Sequence, residues 1–237
     1  MSTQDSFEKT KKTTLKRSPE YADYDKRAVY EILDSGYMCT IAFVIDGMPY
    51  LNPTLYWRKG DYVYWHGLSG SRMLLEQAKN VDVCFNVSHL DGLLLGRSAF
   101  HHSVNYRSVT IYGKTELVED HDEKMEVAFD LIESYFPGRR SELREHKEEE
   151  ILKVKFLRLP IEEVSAKHRY DNSVMDILRR QESPAIMEYG PEGVNPHCWT
   201  GTIPIRTVMG TPISDTATDP NIQLPGYLSR SRFKADF

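Results

Sequence analysis

The sequence predicts a mainly β fold: one domain built as an antiparallel β-barrel with peripheral α-helices. Short β-rich runs follow one another through hairpin-type turns, helical stretches interrupt them at two points, and the glycine-rich turn of a parallel dinucleotide-binding sheet is absent. With 237 residues, 40% of them hydrophobic, the chain is long enough to bury a proper core.

Over residues 23–35, Val29, Ile32 and Leu33 recur at helical spacing, and Gly36 stands where a left-handed residue ends a helix. The stretch "YMCTIAFVIDGMPYLNPTLYW" then gives two β-rich runs around Asp46-Gly47, a dipeptide suited to the positive φ angles of a tight hairpin. A third strand covers residues 61–67 after a turn at Lys59-Gly60, and a short helix opens near Ser71. Val81, Val83, Phe85 and Val87 alternate with Asp82, Cys84, Asn86 and Ser88, which makes a fourth strand with one buried face. "GLLLGRS" continues it past a turn or bulge at Asp91-Gly92, and "YRSVTIYGKTELVED" reads as a long strand with a bend or bulge at Gly113.

Asp120 and Glu123 have the spacing of a capping box, and Met125, Phe129, Ile132 and Phe136 follow at helical intervals until Pro137-Gly138. "SELREHKEEE" reads as a polar, solvated helix and "ILKVKFLRL" as a strand. Pro and Gly recur after Ser183, the mark of an irregular segment. The expected division is a disordered or extended, solvated tail over residues 1–20, a barrel domain over 21–182, and a C-terminal extension over 183–237 packing on the barrel or on a dimer partner.

A net charge of -5 lacks the basic surface that phosphate contacts need, so nucleic acid is not an expected partner. No run of about 18 or more apolar residues is present to span a bilayer, and the first residues lack the apolar centre of a secretory signal. A cytoplasmic protein without membrane contact is expected. Cys39, Cys84 and Cys198 are far apart and form no CxxC pair, which suits a reducing compartment and indicates neither a disulfide framework nor a zinc site. No metal site is expected, and Ser-His-Asp order, a P-loop and HExxH are all absent.

The chemistry concentrates in "YVYWHGLSGSRMLLEQAKNV" and the strand before it. The first turn of a helix leaves amides unpaired and carries partial positive charge, so the start at Ser71 suits a phosphate, with the Ser71 hydroxyl and the Arg72 guanidinium as further donors. Capping by Ser69 or Ser71 and a surface role for Arg72 is the plainer reading. Pro53 lies mid-run in "LNPTLYW" and removes a ladder donor, which belongs at an edge or a bulge and leaves backbone free for a ligand. A flat heteroaromatic with a phosphate tail, such as FMN, uses both features.

These motifs resemble the FMN-binding split barrel of pyridoxamine 5'-phosphate oxidase and its relatives, over roughly residues 21–206. The resemblance implies a split β-barrel. It places Asn52, Pro53, Thr54 and Leu55 beside the flavin ring, with Trp65 and His66 ending the next strand and Ser71 and Arg72 in the phosphate clamp. Met73 stands where the oxidase has a lysine, which weakens that clamp. Trp199-Thr200-Gly201 is similar to the family's C-terminal W-x-G, which implies that Trp199 closes a pocket held mainly by the other subunit, and so a homodimer. "RSAFHHSVNYRSVTIYG" resembles the branch near the nitroimidazole-resistance flavoproteins, and vitamin B6 oxidase activity is not expected.

His66, at the mouth of the phosphate turn, is the candidate proton donor to a substrate. Arg97, Asn105 and Arg107 either complete the phosphate pocket or fix their loop. The adjacent His101 and His102 point to opposite faces of an extended chain and cannot chelate one ion together. Lys167 is a further cation for the flavin's pyrimidine edge, or a surface lysine. The expected function is FMN-dependent electron or hydride transfer to a small oxidised substrate of nitro-aromatic or quinone type. Haem binding through His66, His101 or His102, and non-catalytic flavin binding, are the alternatives.

Overall fold

The computed structural model describes residues 5–96, 99–169 and 198–230. In chain order the elements are β1 (Ala22–Asp23), α1 (Lys26–Asp34), β2 (Met38–Ile45), β3 (Met48–Lys59), β4 (Tyr62–Leu68), α2 (Arg72–Gln77), β5 (Asp82–Leu95), β6 (Ser103–Lys114), β7 (Glu116–Leu117), α3 (His121–Tyr135), α4 (Glu148–Leu152), β8 (Val154–Pro160), β9 (Glu163–Arg169) and β10 (Gly201–Pro204). All strand pairs are antiparallel in the order β1-β9-β6-β5-β2-β3-β4-β8-β7, with β10 added to β5. The sheet curls around one core without closing, which is a split barrel with helices outside it.

Alternation decides which side chains enter that core. Cys39, Ile41 and Phe43 of β2, Val63 and Trp65 of β4, Phe85 and Val87 of β5, and Val109 and Ile111 of β6 point inward, with Val29, Ile32 and Leu33 of α1 plugging one end. Asp46 and Gly47 both have positive φ (50° and 79°), as a tight β2–β3 hairpin requires. The expected bulge at Asp91-Gly92 is present as a register shift between Leu90 and Gly92. Gly113 makes no bulge: it stays in register opposite Val83, and a Cβ there would come 3.0 Å from Leu159. Gly36 is likewise not left-handed; a Cβ would meet His89 at 2.7 Å, so close approach selects glycine there.

A second cluster lies on the outer face of β3, β4 and β8, where Trp57, Tyr64, Phe156 and Val118 pack beneath Val127 of α3. The buried residues of α3 are Val127, Phe129 and Tyr135, not the single stripe expected through Met125 and Ile132. The helix is packed from two sides: Val127 meets the sheet, while Phe129 lies 4.1 Å, centroid to centroid, from the His146 ring. The polar helix expected next is broken into a 3-10 turn (Arg139–Glu142) and α4, with Arg144 reaching over the gap to Glu150.

Residues 5–20 of the N-terminal segment are largely exposed but tethered to the barrel. Phe7 pairs with Tyr24 through the backbone, Thr13 is buried, Tyr24 donates its hydroxyl to the Thr13 carbonyl at 2.8 Å, and Lys12 bridges to Glu163. β9 is missing from the sequence-based expectation, as are the short β1 and β10, and it carries the sheet from β6 to β1.

Candidate functional site: a wedge between two diverging strands

β3 and β4 pair only from Tyr56↔Trp65 to Lys59↔Tyr62. Before Tyr56, β3 pairs with β2 alone, from Met48↔Ile45 to Leu55↔Met38, while β4 beyond Trp65 continues along β8 through His66↔Phe156 and Leu68↔Val154. The two strands therefore part at Leu55 and His66. One wall of the resulting wedge is the edge of β3 at Asn52–Leu55 that faces away from β2, to which no strand pairs among the described residues. The other is the end of β4 and the start of α2.

Gly67 lets α2 close on β4, since a Cβ there would meet Leu74 at 2.8 Å. The Ser71 amide donates to the Leu68 carbonyl at 2.9 Å, and Ser71 then takes the N-cap position of α2 in an extended conformation. Its hydroxyl caps no amide of α2, and the amides of the first turn have no acceptor within a helix. The Arg72 guanidinium lies 4.9 Å from the centre of the Tyr50 ring, a cation–π contact. Tyr50, Asn52 and Thr54 share a face of β3 by the two-residue period, so this contact brings Arg72 to the strand that carries Asn52. Tyr50 was overlooked in the sequence, although that period places it beside Asn52. Pro53 and Leu55 point to the opposite face, so the four residues share only the backbone edge. Met73 packs against the core and brings no cation to the wedge.

Trp65 and His66 separate. Trp65 is fully enclosed in the core, donating its indole N–H to Gln77 Oε1 at 3.0 Å, and has no surface for a ligand. Its place beside the cofactor is corrected to a place inside the barrel. His66 points outward at the fork, with ring centroids 6.1 Å from Trp57 and 5.9 Å from Phe156. Its Nδ1 is buried without a hydrogen-bond partner, and burial lowers its pKa, which keeps the ring neutral.

The polar cluster of β6 lies elsewhere. Arg107 holds Asp91 with both arms, at 2.9 and 3.0 Å, and reaches Ser35 Oγ at 3.3 Å; Ser35 Oγ is also 3.2 Å from His89 Nε2. Asn105 is buried opposite Gly92. With β5 and β2 intervening before β3, neither residue reaches the wedge of its own chain, and the Arg107 fork is occupied by a carboxylate. Within this chain Arg107 and Asn105 fix a junction of strands, one of the two readings that the sequence leaves open. Arg97 lies outside the described residues. Trp199 is exposed just ahead of β10, its ring against Gly201, and β10 runs along β5 from Gly201↔Leu95 to Pro204↔Gly92.

The sequence profile described as pyridoxamine 5'-phosphate oxidase matches residues 25–168. The chain belongs to the pyridoxamine 5'-phosphate oxidase-related family of flavin-binding split barrels. Among solved structures of that fold, the flavocytochrome Anf3 from Azotobacter vinelandii is 31% identical, covers 94% of this chain and 98% of its own, and superposes with a TM-score of 0.79. The FAD and haem binding protein from Mycobacterium smegmatis is 27% identical over 89% of this chain and 97% of its own, with a TM-score of 0.75. A 5-nitroimidazole antibiotic resistance protein from Bacteroides thetaiotaomicron shares the fold at 22% identity and a TM-score of 0.51, over 62% of this chain and 85% of its own. No curated protein sequence matches significantly.

Proposed function

We propose that this chain is a flavoprotein oxidoreductase that holds its flavin in the β3–β4 wedge. The observation that carries the reading is the divergence of the two strands at Leu55 and His66, which opens a backbone edge opposite an uncapped helix start. The Asn52–Leu55 edge addresses the ring, and Ser71 and Arg72 address the first phosphate, through charge-assisted hydrogen bonds in the case of Arg72. Those parts are common to FMN and FAD. The M. smegmatis likeness favours FAD over the FMN expected from the motifs, because that FAD and haem binding protein matches this chain over nearly its whole length.

A bound flavin supplies electron or hydride transfer to a small oxidised substrate. The protein contributes position and protons. His66, neutral and with an unpartnered Nδ1 at the fork, is placed to give or take a proton. Trp199, exposed in one chain, closes the pocket of the other in a homodimer formed through the apolar outer face of β2 and β3.

A second reading adds haem to flavin, since both near-full-length likenesses are to proteins that hold the two together. A buried neutral imidazole is the form that ligates iron, which makes His66 the ligand candidate in that case.

The test is to release and identify the cofactors of purified protein by acid extraction and chromatography. Flavin is expected, with occupancy reduced in Arg72→Ala because one charge-assisted contact contributes about 1.5 to 3 kcal/mol. His66→Ala separates the two roles: loss of a Soret band with flavin retained identifies an iron ligand, whereas slowed nitro or quinone reduction with both spectra intact identifies a proton donor. Protein that purifies and reconstitutes without any flavin removes the proposal.

A further inference from the structure

β9 stands on the far side of the sheet from the wedge, separated from β3 by β6, β5 and β2. There a cavity of about 370 Å³ is lined by Arg17, Ser18, Tyr21, Tyr106, Lys167 and Arg169. Three of these are cations at neutral pH, the others carry hydroxyls, and no carboxylate is among them. Lys167 and Arg169 share the outer face of β9, because Val164 and Ala166 take the core face, and the β6–β9 register sets Tyr106 opposite Arg169. The Lys167 ammonium lies 5.5 Å from the centre of the Tyr106 ring, and Arg169 donates to Ser103 Oγ.

The opposite wall comes from the N-terminal segment, which the buried Thr13 and the Lys12–Glu163 bridge hold against the sheet. Ser18 turns that segment between Arg17 and Tyr21 in a left-handed conformation, φ 53°, unusual for a residue with a Cβ. Among the described residues none of the three cations enters an ion pair. Gathering like charges around a cavity is unfavourable unless an anion neutralises them, and guanidinium forks match phosphate oxygens.

We propose that this cavity binds a phosphorylated small molecule of nucleotide size. Its phosphates lie on Arg17, Lys167 and Arg169, and its planar group lies against Tyr21 and Tyr106. The cavity volume falls in the range of small-molecule sites, and aromatic rings accept a base by stacking. The site is separate from the wedge of the same chain, so its existence does not depend on the flavin reading.

Purified full-length protein, carrying whatever cofactor it retains, is titrated by calorimetry with adenosine 5'-diphosphate and with inorganic pyrophosphate at about 0.15 M salt. Saturable binding of both at one site per chain is expected, the nucleotide being tighter. Lys167→Ala and Arg17→Ala should each weaken binding about tenfold or more. Lys167→Arg should retain most of it, and flavin content should stay unchanged in all three variants. Arg27→Ala, on α1 and paired with Glu31 away from the cavity, should bind as the parent does. Failure of both probes to saturate overturns the proposal, as does equal weakening by Arg27→Ala, which marks diffuse attraction. Loss of flavin from Lys167→Ala also overturns it, by assigning the cavity to the flavin site itself.

Discussion

Burial lowers the pKa of both His66 and His89, in each case through desolvation first; for His89 the neighbouring Arg107 adds to the lowering. The unfolded chain therefore takes up protons near the ordinary histidine value, about 6.5, that the folded chain accepts only at lower pH. Their contribution to stability is complete above about pH 6.5 and is lost as pH falls through the folded values. The urea midpoint should thus drop as pH is lowered from about 7.5 to about 5.5, and drop less in His66→Gln. Identical pH dependence in parent and variant excludes His66 from the titration. At Trp65 a different expectation applies. Trp65→Phe removes the donor to Gln77 inside the core and should destabilise the protein by about 1 to 3 kcal/mol, while the affinity of the folded protein for flavin stays the same.

At the scale of elements, the wedge depends on how closely α2 packs on β4. Gly67→Ala places a methyl group against the Leu74 side chain, which must give way and loosens the packing of α2 on the strand. The expected result is lower flavin occupancy with a smaller change in thermal midpoint, read by absorbance and by melting of the same sample. α3 allows a cleaner test of its own formation. Asp120 caps it by accepting from the Glu123 amide at 2.8 Å, but Glu123 does not return the bond, because its carboxylate takes Arg158 instead. Asp120→Ala should therefore cost about 0.5 to 2 kcal/mol in chemical unfolding, a single cap's worth.

For the whole molecule, the decisive surface is the outer face of β2 and β3. Met38 faces Leu55, Ala42 faces Leu51 and Val44 faces Pro49 across the ladder, leaving an apolar strip in which Leu51 is 63% and Val44 58% exposed. Strips of this kind mark interfaces. Light scattering should give the mass of a dimer, and Leu51→Glu should shift it toward the monomer with loss of flavin, if Trp199 of one chain completes the pocket of the other. A parent chain that is monomeric at micromolar concentration ends that reading.

The sequence alone determined what is local. Strand alternation, the Asp46-Gly47 hairpin, the α1 core residues and the Asp120 cap are legible because each depends on neighbours within a turn or two of the chain. The backbone edge at Pro53 and the donors at Ser71 and Arg72 are legible for the same reason. What only the tertiary structure decided is where those segments meet. Alternation alone placed Trp65 and His66 on opposite faces, but only the curl of the sheet made one face core and the other a fork between strands. Arg107 reads either as a phosphate contact or as a residue fixing its loop until β5 brings Asp91 to it, and Lys167 either as a flavin-edge cation or as a surface lysine until β9 and the N-terminal segment form a cavity around it. Contacts between residues far apart in the chain leave no periodic trace, because their partners are chosen by the packing of the whole sheet.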